Sequence, residues 1–238
     1  MRNAEHTGGL YDRQFEHDAC GLGTVVHLDG IASHSVVEQA LTVLERLDHR
    51  GATGSDPETG DGAGILIQMP HRFLARVASE EGIDLPAAGD FGIGMVFLPH
   101  DPSTRLRCSE IAVRIVAEEG HRAVGWREVP VVPEAIGPVA RETAPLVRQL
   151  IIERRHGSLD AFERKLYVIR RRIQKAVSAA GISDAEFAIP SMSAKTLVYK
   201  GLLRATQVRA YYPDLADPDV ESALALVHSR FSTNTLGT

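Results

Sequence analysis

Short β-type runs alternate with amphipathic helical segments along the whole chain, and this alternation limits the possible folds more than any other feature. A β-rich run at 21–28 ends at the turn signal Asp29–Gly30. The most regular helical pattern covers 159–180, with Ser158 as its N-cap and Gly181 just past its end. Because strands and helices are mixed rather than segregated, the pattern predicts an α/β or α+β domain.

The remaining elements are predicted from the same two periodicities. Residues 1–19 form a polar tail, 50–64 a long loop rich in Gly, Asp and Thr, and 130–145 a proline-punctuated connection. Further helices are predicted for 33–47 (capped by Ser33), 71–81 and 103–119, and further strands for 65–69, 92–98, 122–129, 195–202 and 223–228.

Length and composition are those of an ordinary soluble globular protein. The 238 residues fit one sizeable domain or at most two small ones, and 44% hydrophobic residues allow a core without disulfides. A formal net charge of −5 gives no reason to expect nucleic acid or an anionic membrane as a partner. The N-terminal tail lacks the apolar core of a signal peptide, and no apolar run approaches the about 18 residues of a membrane span. We therefore expect a cytoplasmic protein.

The two cysteines, Cys20 and Cys108, are far apart and form no CxxC pair, which argues against a disulfide scaffold or a zinc site. Cys108 lies within a predicted helix and is expected to be structural. Cys20 ends the polar tail and is followed by Gly21, so a substrate can approach the backbone closely there. A nucleophile is one interpretation of Cys20, and an inert small residue at a strand edge is the other.

Two further segments carry residues with chemical potential. The loop 50–64 is not of the phosphate-binding type, because such loops follow a strand and open a helix, whereas here a helix precedes and a strand follows. Glycines that serve tight turns are the plain alternative. The segment 228–233 (HSRFST) contains Arg230, whose guanidinium can bind a carboxylate in a two-pronged hydrogen bond. His228 has no partner histidine at ligand spacing, so no metal site is predicted.

Five motifs cover nearly the full length of the chain. They are DACGLG at 18–23, LERLDHRGATGSDPETGDGAGILIQMP at 44–70, GWREVPV at 125–131, KTLVYKGLL at 195–203 and HSRFSTNT at 228–235. A CG start followed by HRG and then HxR[FYW]xT resembles the signature of the class II glutamine amidotransferases. The HRGA…TGDGAG loop and the TLVYKGLL stretch are similar to the amidotransferase region of glutamate synthase large subunits in particular.

The resemblance implies an α+β N-terminal-nucleophile hydrolase, a four-layer αββα sandwich in which two antiparallel sheets lie between helix layers. It also implies that residues 1–19 are a propeptide and that 20–238 form the glutamine amidotransferase domain. The site residues carried over are Cys20 as the nucleophile, Arg230 for the α-carboxylate of glutamine, Thr233 in the same pocket, Arg50 supporting the nucleophile region and Asp61 shaping the pocket wall.

The implied chemistry is reasonable on pKa grounds. Removal of residues 1–19 frees the α-amino group of Cys20, and a thiol with pKa ~8.5 matches an amine with pKa ~7.7–8.0 near neutral pH. The amine then takes the thiol proton as the thiolate attacks the glutamine amide. While residues 1–19 stay attached, that nitrogen is an amide and cannot act as a base, so processing is expected to switch the site on.

The resemblance also predicts what lies beyond this segment. The family continues past HSRFSTNT into a segment with the oxyanion-hole Asn-Gly pair, whereas this sequence reads Leu236-Gly237-Thr238 and stops. We therefore expect an incomplete sandwich, truncated at its C-terminus. The alternatives are a catalytically inactive fragment or binding module, or the amidotransferase domain of another glutamine-dependent enzyme.

Cofactors and partners follow from the resemblance alone. No cofactor is expected in this segment, whereas FMN and an iron–sulfur cluster are implied for the full-length enzyme. The implied partners are glutamine, a synthase domain that converts 2-oxoglutarate to glutamate, and a small subunit that oxidises a pyridine nucleotide.

Overall fold

The computed structural model describes residues 21–51 and 56–229, and these form two four-stranded antiparallel sheets with helices packed against them. The strands are β1 Gly21–Val26, β2 Ala63–Gln68, β3 Phe91–Leu98, β4 Arg122–Glu128, β5 Leu146–Glu153, β6 Ala188–Ser193, β7 Thr196–Gly201 and β8 Leu224–Ser229. The α-helices are α1 His34–Arg46, α2 His71–Glu80, α3 Pro102–Glu118, α4 Pro138–Thr143, α5 Leu159–Ala179 and α6 Val208–Tyr211. The predicted α+β class with two antiparallel sheets is confirmed.

The first sheet has the strand order β1-β8-β2-β7 and two unlike faces. Ile65, Tyr199 and Val227 are buried on one face, which we call the packed face. Helix α1 lies against it so closely that a Cβ added to Gly23 would be 2.5 Å from Cγ1 of Val43. The other face, which we call the open face, carries half-exposed or exposed side chains. It includes Leu22, Thr24, Val26, Leu66, Val198, Leu224 and Leu226, and also the polar residues Gln68, Thr196, Lys200 and His228.

The second sheet has the order β4-β5-β3-β6, and its strands β5, β3 and β6 are mostly buried on both faces. Helices α3 and α5 cover its outer face, where Phe162, Leu166 and Ile169 of α5 belong to one apolar cluster with Leu150 and Ile152 of β5. Its inner face shares the larger apolar core with the packed face of the first sheet and with α1 and α2. The apolar area removed from water on both sides of this sheet is the main stabilising term.

A buried ion pair connects the two sheets. Arg127 of β4 donates through Nη1 and Nη2 to the two carboxylate oxygens of Asp214, each at 2.8 Å, and the two side chains are only 4% and 3% exposed. The hydroxyl of Tyr199 on β7 donates to the same carboxylate at 2.9 Å. Burial, and then the charge of Asp214, raise the pKa of Tyr199, so its hydroxyl stays protonated as a donor. Nη1 of Arg127 also donates to Oε1 of Gln149 at 3.1 Å.

The helix ends predicted from sequence are close to those observed. The Oγ of Ser158 accepts a hydrogen bond from the Ala161 amide at 3.3 Å, and Gly181 follows α5 with φ +85°. Ser33 precedes α1 as predicted, but its Oγ contacts that of Ser35 at 3.0 Å instead of capping a helix amide. Among the described helices, none combines the length and apolarity needed to span a lipid bilayer.

Two strands, β5 and β6, and two short helices, α4 and α6, have no counterpart in the sequence-based predictions. Strand β5 contains two polar residues, Arg148 and Gln149, which interrupt its apolar pattern. Gln149 is nevertheless buried, because its side-chain oxygen accepts a hydrogen bond from Arg127. Strand β6 contains Pro190, which an edge strand tolerates because it needs fewer amide donors. Helix α4 lies inside the connection predicted for 130–145 and begins at Pro138, a favourable first helical residue.

We expect Asp214→Asn to lower the free energy of unfolding by about 3–5 kcal/mol, because the Arg127 charge then stays buried without its carboxylate. Urea denaturation followed by circular dichroism measures this loss. The matched control is Asp160→Asn, which breaks the solvent-exposed ion pair with Lys195 and should leave the midpoint nearly unchanged. Equal losses in the two variants would contradict a special role for the buried pair.

Candidate active site

The register of the first sheet brings the three sequence segments with chemical potential to one edge. Ser229, the last residue of β8, pairs with Gly21 at the start of β1 and with Ala63 at the start of β2. Gly21 follows Cys20, Ala63 ends the glycine-rich loop, and Ser229 precedes Arg230. Segments separated by up to about two hundred residues in sequence therefore meet because neighbouring strands run antiparallel.

The turn that contains Arg50 lies against this edge. Residues Asp48–Arg50 form a 3-10 helix directly after α1. A Cβ added to Gly21 would lie 3.1 Å from the Cβ of Arg50, and one added to Gly51 would lie 3.2 Å from the Oγ of Ser229. These glycines therefore permit a close approach between the turn and the two strand ends, although Arg50 itself is solvent-exposed.

A cavity of about 210 Å³ opens at the same edge. Its wall includes Gly51, Ser229 and Leu203. Two charged side chains also line it, and Nη2 of Arg204 donates to Oδ2 of Asp48 at 2.8 Å. This ion pair joins the turn before the glycine-rich loop to the segment that follows β7.

The far half of the glycine-rich loop is fixed to that same segment. The side-chain amide of Gln207 donates to the carbonyl of Glu58 at 2.8 Å. A Cβ added to Gly60 would collide with the backbone of Leu203 and Arg204, so only glycine fits there. Gly62 lines the cavity and has φ +128°, a conformation that side-chain-bearing residues rarely adopt. The glycines of this loop thus serve close contact as well as turns.

Of the five predicted site residues, the structure describes Arg50 and Asp61. Asp61 is half-buried between two glycines next to the cavity, although it is its neighbour Gly62 that lines the wall. Cys20, Arg230 and Thr233 lie outside the described residues.

Sequence reasoning missed three of the residues that line this cavity. Asp48 and Ser229 lie inside recognised motifs, next to His49 and Arg230, but nothing in the pattern marks them as cavity residues. Arg204 follows the KTLVYKGLL stretch directly and pairs with a residue 156 positions away, a relation that no local pattern encodes.

Two titratable residues that are not among the predicted site residues, Cys108 and His228, are fully or partly buried. Cys108 on α3 is completely buried, and burial raises the pKa of its thiol, which disfavours the reactive thiolate. His228 is half-buried on β8, and burial lowers its pKa, which favours the neutral ring. Within 21–51 and 56–229, no group of three or more His, Cys, Asp or Glu side chains is arranged to hold a metal ion.

Comparison with known proteins identifies the family. Residues 20–238 match the class-II glutamine amidotransferases, and the chain belongs to this family. It is 46% identical over 232 residues to the glutamate synthase [NADPH] large chain of Bacillus subtilis, covering 97% of this chain and 15% of that protein.

Other glutamate synthases are similar over the same region. The glutamate synthase [NADPH] large chain of Azospirillum brasilense is 40% identical over 236 residues, which are 98% of this chain and 15% of that protein. Ferredoxin-dependent glutamate synthase 1 of Arabidopsis thaliana is 38% identical over 227 residues, which are 95% of this chain and 14% of that protein. The chain thus spans about 15% of the length of these curated relatives.

We expect Gly60→Ala to displace the glycine-rich loop from Leu203 and to cost about 1–3 kcal/mol of stability, because the added methyl group collides with the backbone. Denaturation together with amide hydrogen exchange over 56–62 measures both effects. Glu58→Ala is the matched control, since only the main chain of Glu58 fastens the loop to Gln207. Unchanged exchange in Gly60→Ala would show that the loop does not depend on this contact.

Proposed function

We propose that this chain is the glutamine-hydrolysing part of a glutamate synthase and that Cys20 is its nucleophile. The observation that carries the proposal is the meeting of Gly21, Ala63 and Ser229 beside one cavity, in a chain of the class-II glutamine amidotransferases. The family match begins at Cys20, which is consistent with a domain of 20–238 preceded by a propeptide of 1–19.

The proposed reaction has two steps. The α-amino group of Cys20 takes the proton of the thiol, usually through a water, and the thiolate attacks the side-chain amide of glutamine. The protonated α-amino group passes this proton to the departing nitrogen, so that ammonia leaves and a γ-glutamyl thioester remains. Water then attacks the thioester, which releases glutamate and restores the thiol. The amine is available only after residues 1–19 have been removed, so processing and activity are linked.

The remaining site residues are assigned by their chemistry and their neighbourhood. Arg230 is proposed to bind the α-carboxylate of glutamine in a two-pronged hydrogen bond, with Thr233 in the same pocket. Arg50 is proposed to support the nucleophile, a role consistent with the 3.1 Å approach between its Cβ and the Cβ position at Gly21. Asp61 is proposed to shape the pocket wall beside Gly62.

We further propose that the ammonia is used by a synthase region of the whole protein, which converts 2-oxoglutarate to glutamate with FMN and an iron–sulfur cluster. A small subunit that oxidises a pyridine nucleotide is a further proposed partner. Relatives named for NADPH and for ferredoxin are both similar to this chain, so this region alone does not distinguish the electron donors. A cytoplasmic location likewise remains a prediction.

We expect Cys20→Ala to lower the rate of ammonia release from glutamine at least about 10³-fold, because the covalent route is lost. An ammonia-coupled assay measures the rate, and intact mass with N-terminal sequencing reports whether the chain begins at residue 20. Cys108→Ala is the matched control and should keep the parent rate. A processed parent whose rate equals that of Cys20→Ala would favour a binding module without catalysis.

The two thiols should also differ in reactivity. We expect iodoacetamide to modify Cys20 of the native processed protein at pH 8 and to leave Cys108 unmodified, because Cys108 is buried and its pKa is raised. Peptide mass spectrometry measures the extent of labelling at each site, and denatured protein, in which both thiols react, is the control. Preferential labelling of Cys108 would argue against Cys20 as the nucleophile.

A further inference from the structure

A second and larger cavity lies between the edges of the two sheets. Its volume is about 540 Å³, which is within the range of pockets for small organic molecules. It is bordered by β6 of the second sheet, the end of β7 of the first sheet, helix α5 and the segment around Tyr211 and Tyr212. Leu203 lines both this cavity and the candidate active site, so the two are separated by about one side chain.

Most of the wall of this second cavity is apolar. Its principal apolar side chains are Phe97, Ile136, Val147, Phe187, Ile189 and Tyr211. Apolar walls favour a ligand with a hydrocarbon portion, because both surfaces then leave water.

Two cationic side chains from different secondary-structure elements line the same cavity. Arg170 comes from α5 and Lys200 from β7, and both are half-buried. The Nε of Arg170 is buried and has no hydrogen-bond partner in the described part of the chain. A buried donor without a partner is costly, and an acceptor supplied by a ligand would remove that cost.

Charged side chains of both signs line the cavity, and the two cations repel each other. Burial, and then the positive charge of Arg170, lower the pKa of Lys200. An anion between them would relieve this repulsion. Asp184 and Glu186 also line the cavity, and Oε2 of Glu186 accepts hydrogen bonds from the amide and hydroxyl of Ser183 at 3.3 and 2.8 Å. Glu186 therefore already has hydrogen-bond donors next to it in the chain.

We propose that this cavity binds an amphipathic organic carboxylate, with the carboxylate between Arg170 and Lys200 and the hydrocarbon portion against Phe97, Ile136 and Tyr211. This site is separate from the proposed glutamine pocket and does not require Cys20. Its occupant contacts Leu203 from the side opposite the candidate active site.

Titration calorimetry with hexanoate tests the proposal on the purified protein. We expect hexanoate to bind with a millimolar or lower Kd. Both acetate, which lacks the hydrocarbon portion, and hexan-1-ol, which lacks the carboxylate, should bind at least about tenfold more weakly. Arg170→Gln should weaken hexanoate at least about tenfold. Arg171→Gln, which removes the same charge from the next residue, should change its Kd less than about twofold.

Three outcomes would overturn the site. They are no binding of hexanoate to the parent, equal binding of hexan-1-ol, and unchanged binding in Arg170→Gln. The first would mean that the cavity is closed or filled in the protein as it exists, and the second that it is merely apolar. Thermal unfolding checks that the variants are folded, and Lys200→Gln replaces Arg170→Gln if that variant does not fold.

Discussion

The buried pairing of Arg127 with Asp214 is the contact on which the rest of the architecture depends. It fixes β4 of the second sheet to the segment after α6, and Tyr199 extends the same contact to β7 of the first sheet. Apolar packing alone tolerates sliding between the sheets, whereas a bidentate ion pair fixes direction and distance. Because β7 leads into Leu203 and Arg204, the position of the cavity wall follows from this contact.

The candidate active site is a product of strand register more than of any single motif. Pairing of Ser229 with both Gly21 and Ala63 brings three distant segments together, and a slip of one residue would turn every side chain to the opposite face. The ion pair between Arg204 and Asp48, two residues outside the strands, then completes the wall of the cavity. The site is therefore stabilised by the core of the first sheet and by charges at its rim.

Sequence reasoning succeeded where the determinants are local and failed where they are not. Helix α5 was expected to end at 180 and ends at Ala179, because its cap, its apolar stripe and its terminal glycine are all contained in one stretch. Strand β5 escaped detection because Gln149 is buried for a partner on another strand. The pairing of Arg127 with Asp214 could not be predicted either, because the two residues are 87 positions apart and no local sequence pattern near one indicates the other.

The open face of the first sheet has a consequence for how the protein behaves in solution. Leu22 is 61% exposed and Val26 49% exposed on β1, an edge strand whose only partner among the described strands is β8. An apolar surface next to an unpaired strand edge is a template for association between molecules. Self-association that increases with protein concentration and weakens in mild denaturant is the behaviour this geometry dictates wherever that face is left in contact with water.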